Sequence, residues 1–388
     1  MKKICFVTGS RAEYGLLSEL IRIVDNANNY KYQLIVTGSH LLKKYGLTEK
    51  QIKLDGFKIN KKINIIEGDK DDSSAIIKST AAALKKVSLE LNKLNPDLVI
   101  VLGDRYEILA TSIAANFLRI PICHFHGGEI TEGLIDEAIR HSVTKMSSLH
   151  FVANEIYRKR VIQLGENPRK VFNVGGMGID TILKTKLLSK SNLEKKLAIQ
   201  FKPKIILITY HPVTLEKNTS KTQFKNIIKA LKFYSETSFI FTLPNADMDG
   251  NIIIKLIKEV VKKNDNYFYF KSLGQQKYYS LLRYSSIILG NSSSGIIEAP
   301  FFKKPTVNIG ERQKGRLKAD TIIDCKPKVI DIKRAIDLAF NKKFTNKCKT
   351  SKSLYGNGGS SIKSFNIIKK EINKIKIKKT FYDINYKL

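Results

Sequence analysis

The chain has 388 residues, of which 68 are Lys or Arg and 35 are Asp or Glu, so its formal net charge is +33. At about 150 residues a domain this length predicts two to three domains, and the 43% of hydrophobic residues can fill two buried sheets. No apolar run approaches the roughly 18 residues of a membrane helix, which argues against a membrane-spanning protein.

The cysteines and the apolar run at the N-terminus indicate the cellular compartment of the protein. Cys5, Cys123, Cys325 and Cys348 show no CxxC spacing, which favours buried thiols in a reducing compartment over a disulfide framework or a zinc site. The first apolar run ends at Gly9 and is too short for a signal peptide. We therefore expect a cytoplasmic protein.

The positive charge admits a nucleic-acid binder, but the pattern favours another interpretation. The excess is mostly Lys, spread along the whole chain without an aromatic-interleaved basic stripe, which is typical of a Lys-rich surface. Arg is sparse. Since only guanidinium offers a fixed fork to phosphate or carboxylate, geometry is expected to matter where Arg occurs in motifs. These motif arginines are Arg11, Arg105, Arg140, Arg312 and Arg316.

In the first half of the chain, short apolar runs alternate with amphipathic stretches, as in a parallel sheet wrapped by helices. The pattern predicts strands at residues 4–8, 32–37, 98–102, 121–125, 149–153 and 171–174. It predicts helices at residues 16–24, 107–117, 136–146 and 155–164.

The alternation returns in the second half, with strands predicted at residues 205–210, 238–243, 267–270, 287–289 and 306–309. Helices are predicted at residues 224–234, 251–263, 276–284 and 329–339. Residues 181–203 are polar and Lys-rich, and we interpret them as a hinge. A turn at residues 356–361 caps a last amphipathic helix, which extends to about residue 376. Two doubly wound parallel sheets would leave a ligand cleft at the carboxyl ends of their strands.

The turn GNSSSG at residues 290–295 follows a buried strand and precedes a helix predicted to open at residue 296. Small residues let the backbone approach an anion, and free N–H groups and the helix dipole supply positive potential. The alternative is an ordinary helix cap, because Ser is a common cap. We favour a phosphate site with Asn291, Ser292 and Ser293. Glu298, expected one turn into the helix, suits a diol such as ribose.

Acidic and imidazole side chains follow strands of the first half. Asp104 comes directly after the strand at 98–102, His126 and Glu129 follow the strand at 121–125, and Asp136 opens the next helix. Since the carboxyl ends of parallel strands meet at one edge, we expect the four to converge on a site for proton transfer. Individually each is more often a cap or an ion-pair partner. The HxH spacing with two carboxylates also permits a metal site, which we favour less.

Three further positions fit a phosphate or a nucleotide. Arg11 lies in the first βα turn, GSRAEYG at residues 9–15, which is not GxGxxG and so does not predict dinucleotide binding. His211 and Arg312 each follow a predicted strand. Their alternatives are a structural histidine and a solvated charge run.

In this order and spacing the motifs resemble those of the UDP-N-acetylglucosamine 2-epimerase family. More narrowly they resemble its hydrolysing bacterial branch, which makes N-acetylmannosamine for sialic or related nonulosonic acids. The resemblance runs from residue 3 to about residue 370. It rests on GSRAEYG at 9–15, GDRYE at 103–107, HGGE at 126–129, residues 136–145, HP at 211–212, GNSSSG at 290–295 and GERQKGR at 310–316.

The resemblance implies a GT-B-like α/β fold of two Rossmann-like domains with a central cleft and a last helix that crosses back to the first domain. On this basis residues 1–180 carry the acid–base groups, residues 181–360 bind UDP, and residues 361–388 pack back on the N-terminal domain. The implied substrate is a UDP-sugar. No cofactor, metal, nucleic-acid or membrane partner is implied, and the protein is expected to be a homo-oligomer, either a dimer or a tetramer.

The resemblance also implies residue roles. Asp104 and Asp136 match catalytic carboxylates. Many relatives carry a catalytic Glu two residues after the strand histidine, where this chain has His126, with Glu129 three residues further on. Both are therefore kept as acid–base candidates. The positions that match substrate contacts are Arg11, Arg105, His211, Asn291, Ser292 and Ser293 for diphosphate and nucleotide, Glu298 for ribose, Arg312 for the nucleotide side, and Leu273 for the uracil through its backbone.

The implied reaction eliminates UDP to give a 2-acetamidoglucal and then adds water with inversion at C2. The expected substrate is UDP-N-acetylglucosamine, and UDP-2,4-diacetamido-2,4,6-trideoxyglucose, as in legionaminic acid pathways, is the alternative. A GT-B glycosyltransferase or a non-hydrolysing epimerase would use the same nucleotide-binding motifs.

Overall fold

The computed structural model describes residues 1–43, 46–67, 73–131, 135–212, 219–244 and 250–384. The chain divides into two compact units. The first comprises Met1–Glu129, Ile135–Thr181 and Tyr355–Leu388, and the second is built mainly from Ile182–Leu354. Each unit contains one parallel sheet, which confirms the predicted α/β class with two sheet domains.

The first unit has a seven-stranded sheet within the described residues, in the order β3-β2-β1-β4-β5-β6-β7. Its strands are β1 (Lys2–Thr8), β2 (Tyr30–Thr37), β3 (Lys61–Ile63), β4 (Leu98–Leu102), β5 (Ile122–Phe125), β6 (Leu149–Val152) and β7 (Val171–Asn173). Its connecting helices are α1 (Arg11–Asp25), α2 (Glu49–Leu54), α3 (Ser73–Leu94), α4 (Tyr106–Phe117), α5 (Asp136–Met146), α6 (Glu155–Gln163) and α7 (Met177–Lys184).

The second unit has a six-stranded sheet within the described residues, in the order β10-β9-β8-β11-β12-β13. Its strands are β8 (Lys204–Thr209), β9 (Thr237–Thr242), β10 (Tyr267–Phe270), β11 (Ile287–Gly290), β12 (Thr306–Ile309) and β13 (Ile322–Cys325). Its helices are α8 (Lys190–Leu197), α9 (Ser220–Leu231), α10 (Gly250–Val261), α11 (Gly274–Tyr284), α12 (Ser293–Ile297), α13 (Val329–Phe340) and α14 (Lys342–Thr350), and α15 (Ser360–Glu371) belongs to the first unit.

Both faces of the first sheet are covered. Ile4 and Phe6 of β1 pack into one hydrophobic cluster, and Cys5 and Val7 pack into another. Because side chains alternate across a strand, the two clusters lie on opposite faces, which makes the sheet doubly wound. The continuous apolar runs of these strands follow from burial on both faces.

The last helix returns to the first unit. The backbone N–H groups of Ser360 and Ser361 donate to the Asp180 carboxylate at 3.1 and 2.6 Å, which caps α15. Phe365 then packs edge-to-face on Tyr30, with 5.2 Å between the ring centroids. The helix ends at residue 371 and is followed by a 3₁₀ turn at Ile372–Lys374, so it is shorter than predicted.

Several elements were not predicted, among them β3, β13 and α3. Helix α3 buries small side chains such as Ala83 and Val87, whereas Ile76 and Ile77 are exposed, so the sequence carries no clean apolar stripe. The segment at residues 181–203, interpreted as a hinge, contains α8. Within the described residues, no helix is both long and apolar enough to cross a membrane.

Each sheet has one topological switch point, where the strand order reverses. It lies between β1 and β4 in the first sheet and between β8 and β11 in the second. Loops that leave the carboxyl ends of such strands form the ligand-binding crevice of open α/β sheets. Most candidate residues follow β1, β4, β5, β8 or β11 and therefore lie at or beside these points, whereas Leu273 follows the edge strand β10 and Arg312 follows β12.

Candidate active site

The first βα turn of the first unit is organised by Ser10 and Glu13. Ser10 caps α1, and its Oγ accepts a hydrogen bond from Glu13 N at 3.4 Å. The Glu13 carboxylate turns back, so that Oε2 accepts a hydrogen bond from the Gly9 N–H at 2.8 Å. Burial raises the pKa of Glu13 to about 7, and the charge of Glu107 adds to the rise. Arg11 begins α1 and is exposed.

Arg105, in the loop after β4, is held by two carboxylates. Its Nε donates to Glu107 Oε1 at 2.7 Å and lies 3.8 Å from Glu13 Oε1. Glu107 is fully buried against Gly9, where a Cβ would lie 2.1 Å from Glu107 Oε1. The charge of Glu107 raises the pKa of Arg105, which therefore stays protonated. Since the Arg105 side chain is 43% exposed, an anion can reach its terminal amino groups.

Asp104 pairs with a buried arginine and is not a helix cap. Arg140 Nη2 donates to Asp104 Oδ2, and Nη1 donates to the Glu129 carbonyl oxygen at 2.8 Å and to Glu137 Oε2 at 2.9 Å. Arg140 is only 1% exposed, so this guanidinium is desolvated and fixed. It ties the loops after β4 and β5 to helix α5.

His126 and Glu129 form a buried pair, with 2.6 Å between His126 Nδ1 and Glu129 Oε1. A carboxylate at Nδ1 keeps a proton on that nitrogen, which leaves Nε2 as the atom that accepts a proton. Nε2 is buried and has no hydrogen-bond partner among the described residues. His126 has φ +64°, a left-handed conformation that is uncommon for residues other than Gly but that Asn, Asp and His adopt more often than the rest.

The neighbouring histidine, His124 in β5, has a structural role. Its Nε2 lies 2.9 Å from the Gly103 carbonyl oxygen, and its Nδ1 lies 3.1 Å from Thr144 Oγ1. Burial lowers the pKa of His124 to about 3, so the ring is neutral. It holds the loop after β4 against β5 and α5.

Asp136 is the first residue of α5 and is partly exposed. A carboxylate is favoured in the first turn of a helix because the helix dipole is positive there. Within the first unit, Arg140 joins Asp104 to the backbone of Glu129, and Asp136 lies one helical turn before that arginine. The four predicted acid–base residues therefore follow one edge of the sheet, and three of them are linked through side chains.

In the second unit, the turn after β11 requires Gly290. Its φ is +133°, and a Cβ there would lie 1.9 Å from the Thr209 carbonyl oxygen. Asn291 then clamps the loop after β8, since its Oδ1 accepts from His211 N at 2.7 Å and its Nδ2 donates to His211 O at 2.8 Å. Burial lowers the pKa of His211 to about 3, and Arg312 adds to the effect, so the imidazole is neutral.

The helix after this turn differs from the sequence prediction. Helix α12 begins at Ser293, three residues earlier than expected, and ends at Ile297, before Glu298. Pro300 disfavours a helical conformation at the residue before it, which accounts for the early end. Five residues make a weak dipole, so the hydroxyl and N–H groups of the turn supply most of the positive potential for an anion.

Glu298 belongs to a hydroxyl network that was not predicted. Ser292 caps α12 through a hydrogen bond from Ser294 N to Ser292 Oγ at 3.4 Å. Ser294 Oγ donates to Glu298 Oε2 and accepts from Tyr278 OH at 2.6 Å. Tyr279 OH donates to Glu298 Oε1 at 3.1 Å, and burial raises the pKa of Glu298. The network orients the carboxylate beside the serine turn.

Arg312 contacts the same turn. Its Nη1 donates to the Asn291 carbonyl oxygen at 3.2 Å, and Gln313 Nε2 donates to that oxygen at 2.8 Å. Leu273 is buried and precedes α11, and Gly274 after it has φ +65°. The structure thus joins Arg312 to the serine turn, whereas Leu273 lies in a different loop.

Several contributors were not predicted as site residues, among them Glu13, Glu107, Arg140 and Gln313. These four fall inside the motifs that carry the family resemblance, and this was the signal that could have identified them. Tyr278 and Tyr279 lie outside those motifs. Within the described residues, no group of three or more His, Cys, Asp or Glu side chains is arranged to hold a metal ion.

Comparison with known proteins identifies the family. The sequence model of the family described as UDP-N-acetylglucosamine 2-epimerase matches residues 22–369. A GDP/UDP-N,N'-diacetylbacillosamine 2-epimerase (hydrolyzing) from Campylobacter jejuni is 42% identical over 344 residues, which is 88% of each chain. A polysialic acid biosynthesis protein from Escherichia coli is 39% identical over 386 residues, or 99% of this chain and 98% of the relative.

The fold matches a solved structure over most of its length. The structure of the UDP-GlcNAc 2-epimerase from Neisseria meningitidis bound to UDP-GlcNAc covers 95% of this chain and 100% of its own, with a TM-score of 0.84 at 22% identity. This likeness confirms the GT-B-like fold class, and the family match rests on the sequences. The chain belongs to the UDP-N-acetylglucosamine 2-epimerase family.

Proposed function

We propose that this protein is a hydrolysing UDP-sugar 2-epimerase, which converts a UDP-linked 2-acetamido sugar and water into UDP and the free sugar inverted at C2. The observation that carries the proposal is the buried His126–Glu129 pair next to the Asp104–Arg140 pair. It offers a proton-accepting nitrogen and a fixed carboxylate at the ligand-binding edge of a sheet. Family membership supplies the reaction class.

The chemistry requires charge stabilisation before proton transfer. The C2 hydrogen has no neighbouring carbonyl and is not acidic in the substrate. When the bond from C1 to the UDP oxygen breaks, positive charge develops at C1, and a base can take the C2 proton. The electron pair of the C2–H bond then forms the double bond of a 2-acetamidoglucal. Water next adds its oxygen to C1, and C2 receives a proton from the opposite face.

Inversion at C2 needs two proton-transfer groups, because a proton leaves one face and another arrives on the other. We assign one face to His126 Nε2, oriented by Glu129, and the other to Asp136. The Asp104 carboxylate, held by Arg140, stabilises the positive charge at C1. General acid–base groups of this kind contribute about 10²–10⁴-fold each to the rate.

The leaving group needs donors that are preorganised for negative charge. We assign the diphosphate to the serine turn with Ser292 and Ser293, because the turn presents hydroxyls and N–H groups beside a neutral His211. The further assignments are Arg11, Arg105, Asn291 and Arg312 for the nucleotide and its phosphates, Glu298 for the ribose, and Leu273 for the uracil.

Two substrates are candidates. UDP-N-acetylglucosamine is the expectation from the motifs. UDP-2,4-diacetamido-2,4,6-trideoxyglucose is the second, and the name of the Campylobacter jejuni relative at 42% identity supports it. We further propose a role in nonulosonic acid biosynthesis, a cytoplasmic location and a homo-oligomeric assembly.

The test is turnover of each UDP-sugar in deuterated water without an added acceptor. The proposal expects free UDP and a C2-inverted sugar with deuterium at C2, and the faster substrate is the natural one of the two. Product without deuterium at C2 would refute the mechanism. Release of an inverted UDP-sugar would identify a non-hydrolysing epimerase. If turnover occurs only after an acceptor is added to the same mixture, the protein is a glycosyltransferase.

A further inference from the structure

Two buried carboxylates share one cation at the switch point of the first sheet. Glu13 Oε1 and Glu107 Oε2 are buried and have no hydrogen-bond partner among the described residues. Within the residues that the structure describes, neither carboxylate forms an ion pair except with Arg105. The Nε atom of Arg105 lies 2.7 Å from Glu107 Oε1 and 3.8 Å from Glu13 Oε1. The mechanism proposed above uses neither carboxylate.

Two glycines lie against the Glu107 carboxylate. A Cβ at Gly9 would lie 2.1 Å from Glu107 Oε1, and one at Gly38, which has φ +59°, would lie 3.1 Å from the same oxygen. A side chain at either glycine would therefore crowd the carboxylate. The two glycines therefore leave the space that the Glu107 carboxylate occupies beside the turn.

The other titratable groups near the two carboxylates are Arg11, Arg105 and His40. Glu107 and Arg105 face Glu13 from the start of α4, and Arg11 occupies the same first turn as Glu13. His40, after β2, lies 3.1 Å from Thr8 Oγ1 through Nε2, and burial lowers its pKa to about 4, so it is neutral near pH 7. Titration near neutrality therefore falls to Glu13.

Two ionised carboxylates beside one guanidinium would leave a net buried negative charge, which is costly. When like charges share a site, one of them gains a proton at a raised pKa. Burial raises the pKa of Glu13 to about 7, which agrees with this expectation. At neutral pH Glu13 is therefore close to half-protonated.

We propose that the buried carboxylates of Glu13 and Glu107 position Arg105 for the diphosphate of the substrate, and that Glu13 takes up a proton when that anion binds beside it. This inference rests on the proposed function, because it takes a diphosphate as the anion that meets Arg105. Glu107 fixes Nε, which leaves the terminal amino groups of Arg105 for phosphate oxygens.

The direction of the pH effect follows from linkage. A diphosphate at Arg105 adds negative charge beside Glu13 and draws on the same guanidinium, so it raises the pKa of Glu13 above its value in the free protein. Glu13 therefore gains protons from solvent on binding. By reciprocity, the affinity for UDP falls as the pH rises above about 7, where Glu13 of the free protein loses its proton.

The experiment is calorimetric titration with UDP at pH 7.5 in two buffers of different ionisation heat. If binding raises the pKa of Glu13 by one unit, the wild-type protein takes up about half a proton more per UDP than Glu13→Gln does. Ionisation of UDP itself cancels in this difference. Glu155→Gln removes an exposed carboxylate that pairs with Arg158 and should match the wild-type protein.

Glu107→Gln is the second variant, because an amide oxygen can still accept from Arg105 Nε while one of the two charges is removed. Its extra proton uptake should be smaller than that of the wild-type protein, because the charge of Glu107 adds to the raised pKa of Glu13. Equal uptake in the wild-type protein and both variants, with UDP bound by all three, overturns the inference. Should the variants not fold, a wild-type affinity for UDP that does not fall between pH 7 and 8.5 overturns it. Failure of the wild-type protein to bind UDP refutes the proposed function instead.

Discussion

The two switch points are built from different chemistry. In the first unit, the loops after β1, β4 and β5 carry charged side chains that are bonded in pairs, such as Asp104 with Arg140 and His126 with Glu129. In the second unit, the loops after β8 and β11 are joined by the neutral amide of Asn291. Paired charges can move protons, whereas a neutral amide can fix a turn without adding charge to it. The contrast therefore predicts that proton transfer depends on the first unit, and that the serine turn of the second unit contributes mainly to nucleotide binding.

The largest effect is expected at the Asp104–Arg140 pair. Asp104→Asn should lower kcat about a thousandfold, because the carboxylate that stabilises charge at C1 is lost. UDP affinity, measured by calorimetry, should change little. Asp97→Asn is the matched control, since Asp97 precedes the same strand and pairs with Lys2 at the other end of it. A kcat for Asp104→Asn within about tenfold of the control would contradict the assignment.

Gly290→Ala should disrupt the second switch point. The new Cβ would lie 1.9 Å from the Thr209 carbonyl oxygen, so the turn must shift. We expect a loss of about 3 kcal/mol in the free energy of unfolding and loss of UDP binding. Gly56→Ala is the control, because Gly56 has φ +88° with nothing within 4 Å of its Cβ position, and it should cost about 1 kcal/mol. Urea unfolding compares the two, and equal losses would refute the steric account.

The His126–Glu129 pair offers a further test of the first switch point. Glu129→Gln should lower kcat about a hundredfold, because the charge that supports a protonated imidazole is removed. His126→Glu should be more active than His126→Ala, since a carboxylate at this position can also move a proton. Steady-state kinetics of UDP release measures all three variants. Equal activity of His126→Glu and His126→Ala would count against proton transfer at this position.

The smallest effect is expected at the serine turn. Ser292→Ala combined with Ser293→Ala should weaken UDP binding about tenfold, the worth of one to two hydrogen bonds, and should also slow turnover. Ser189→Ala is the control, because Ser189 caps α8 in the same unit through a bond from Asn192 N at 3.2 Å. Unchanged turnover in the double variant would remove the turn from the leaving-group site.

Much of the frame could be predicted because its signals are local. Strands such as β4 and β11 are continuous apolar runs, and the chain leaves them at polar or glycine-rich turns. In a parallel sheet those turns share one edge, so the position of Asp104 or Ser292 at the functional edge followed from order alone. Helix α3 was missed because small and exposed apolar residues blur its stripe.

The sequence by itself determined the α/β class, the two sheets, the family and the strand ends that carry the candidate residues, because periodicity and burial leave a local pattern. Only the tertiary structure decided which charges pair. It gave Asp104 the buried Arg140, turned His126 Nδ1 onto Glu129, and set Glu13 and Glu107 around one arginine. Ion pairs depend on side chains that the fold brings together from distant loops, and no spacing in the chain encodes which of several charges will meet.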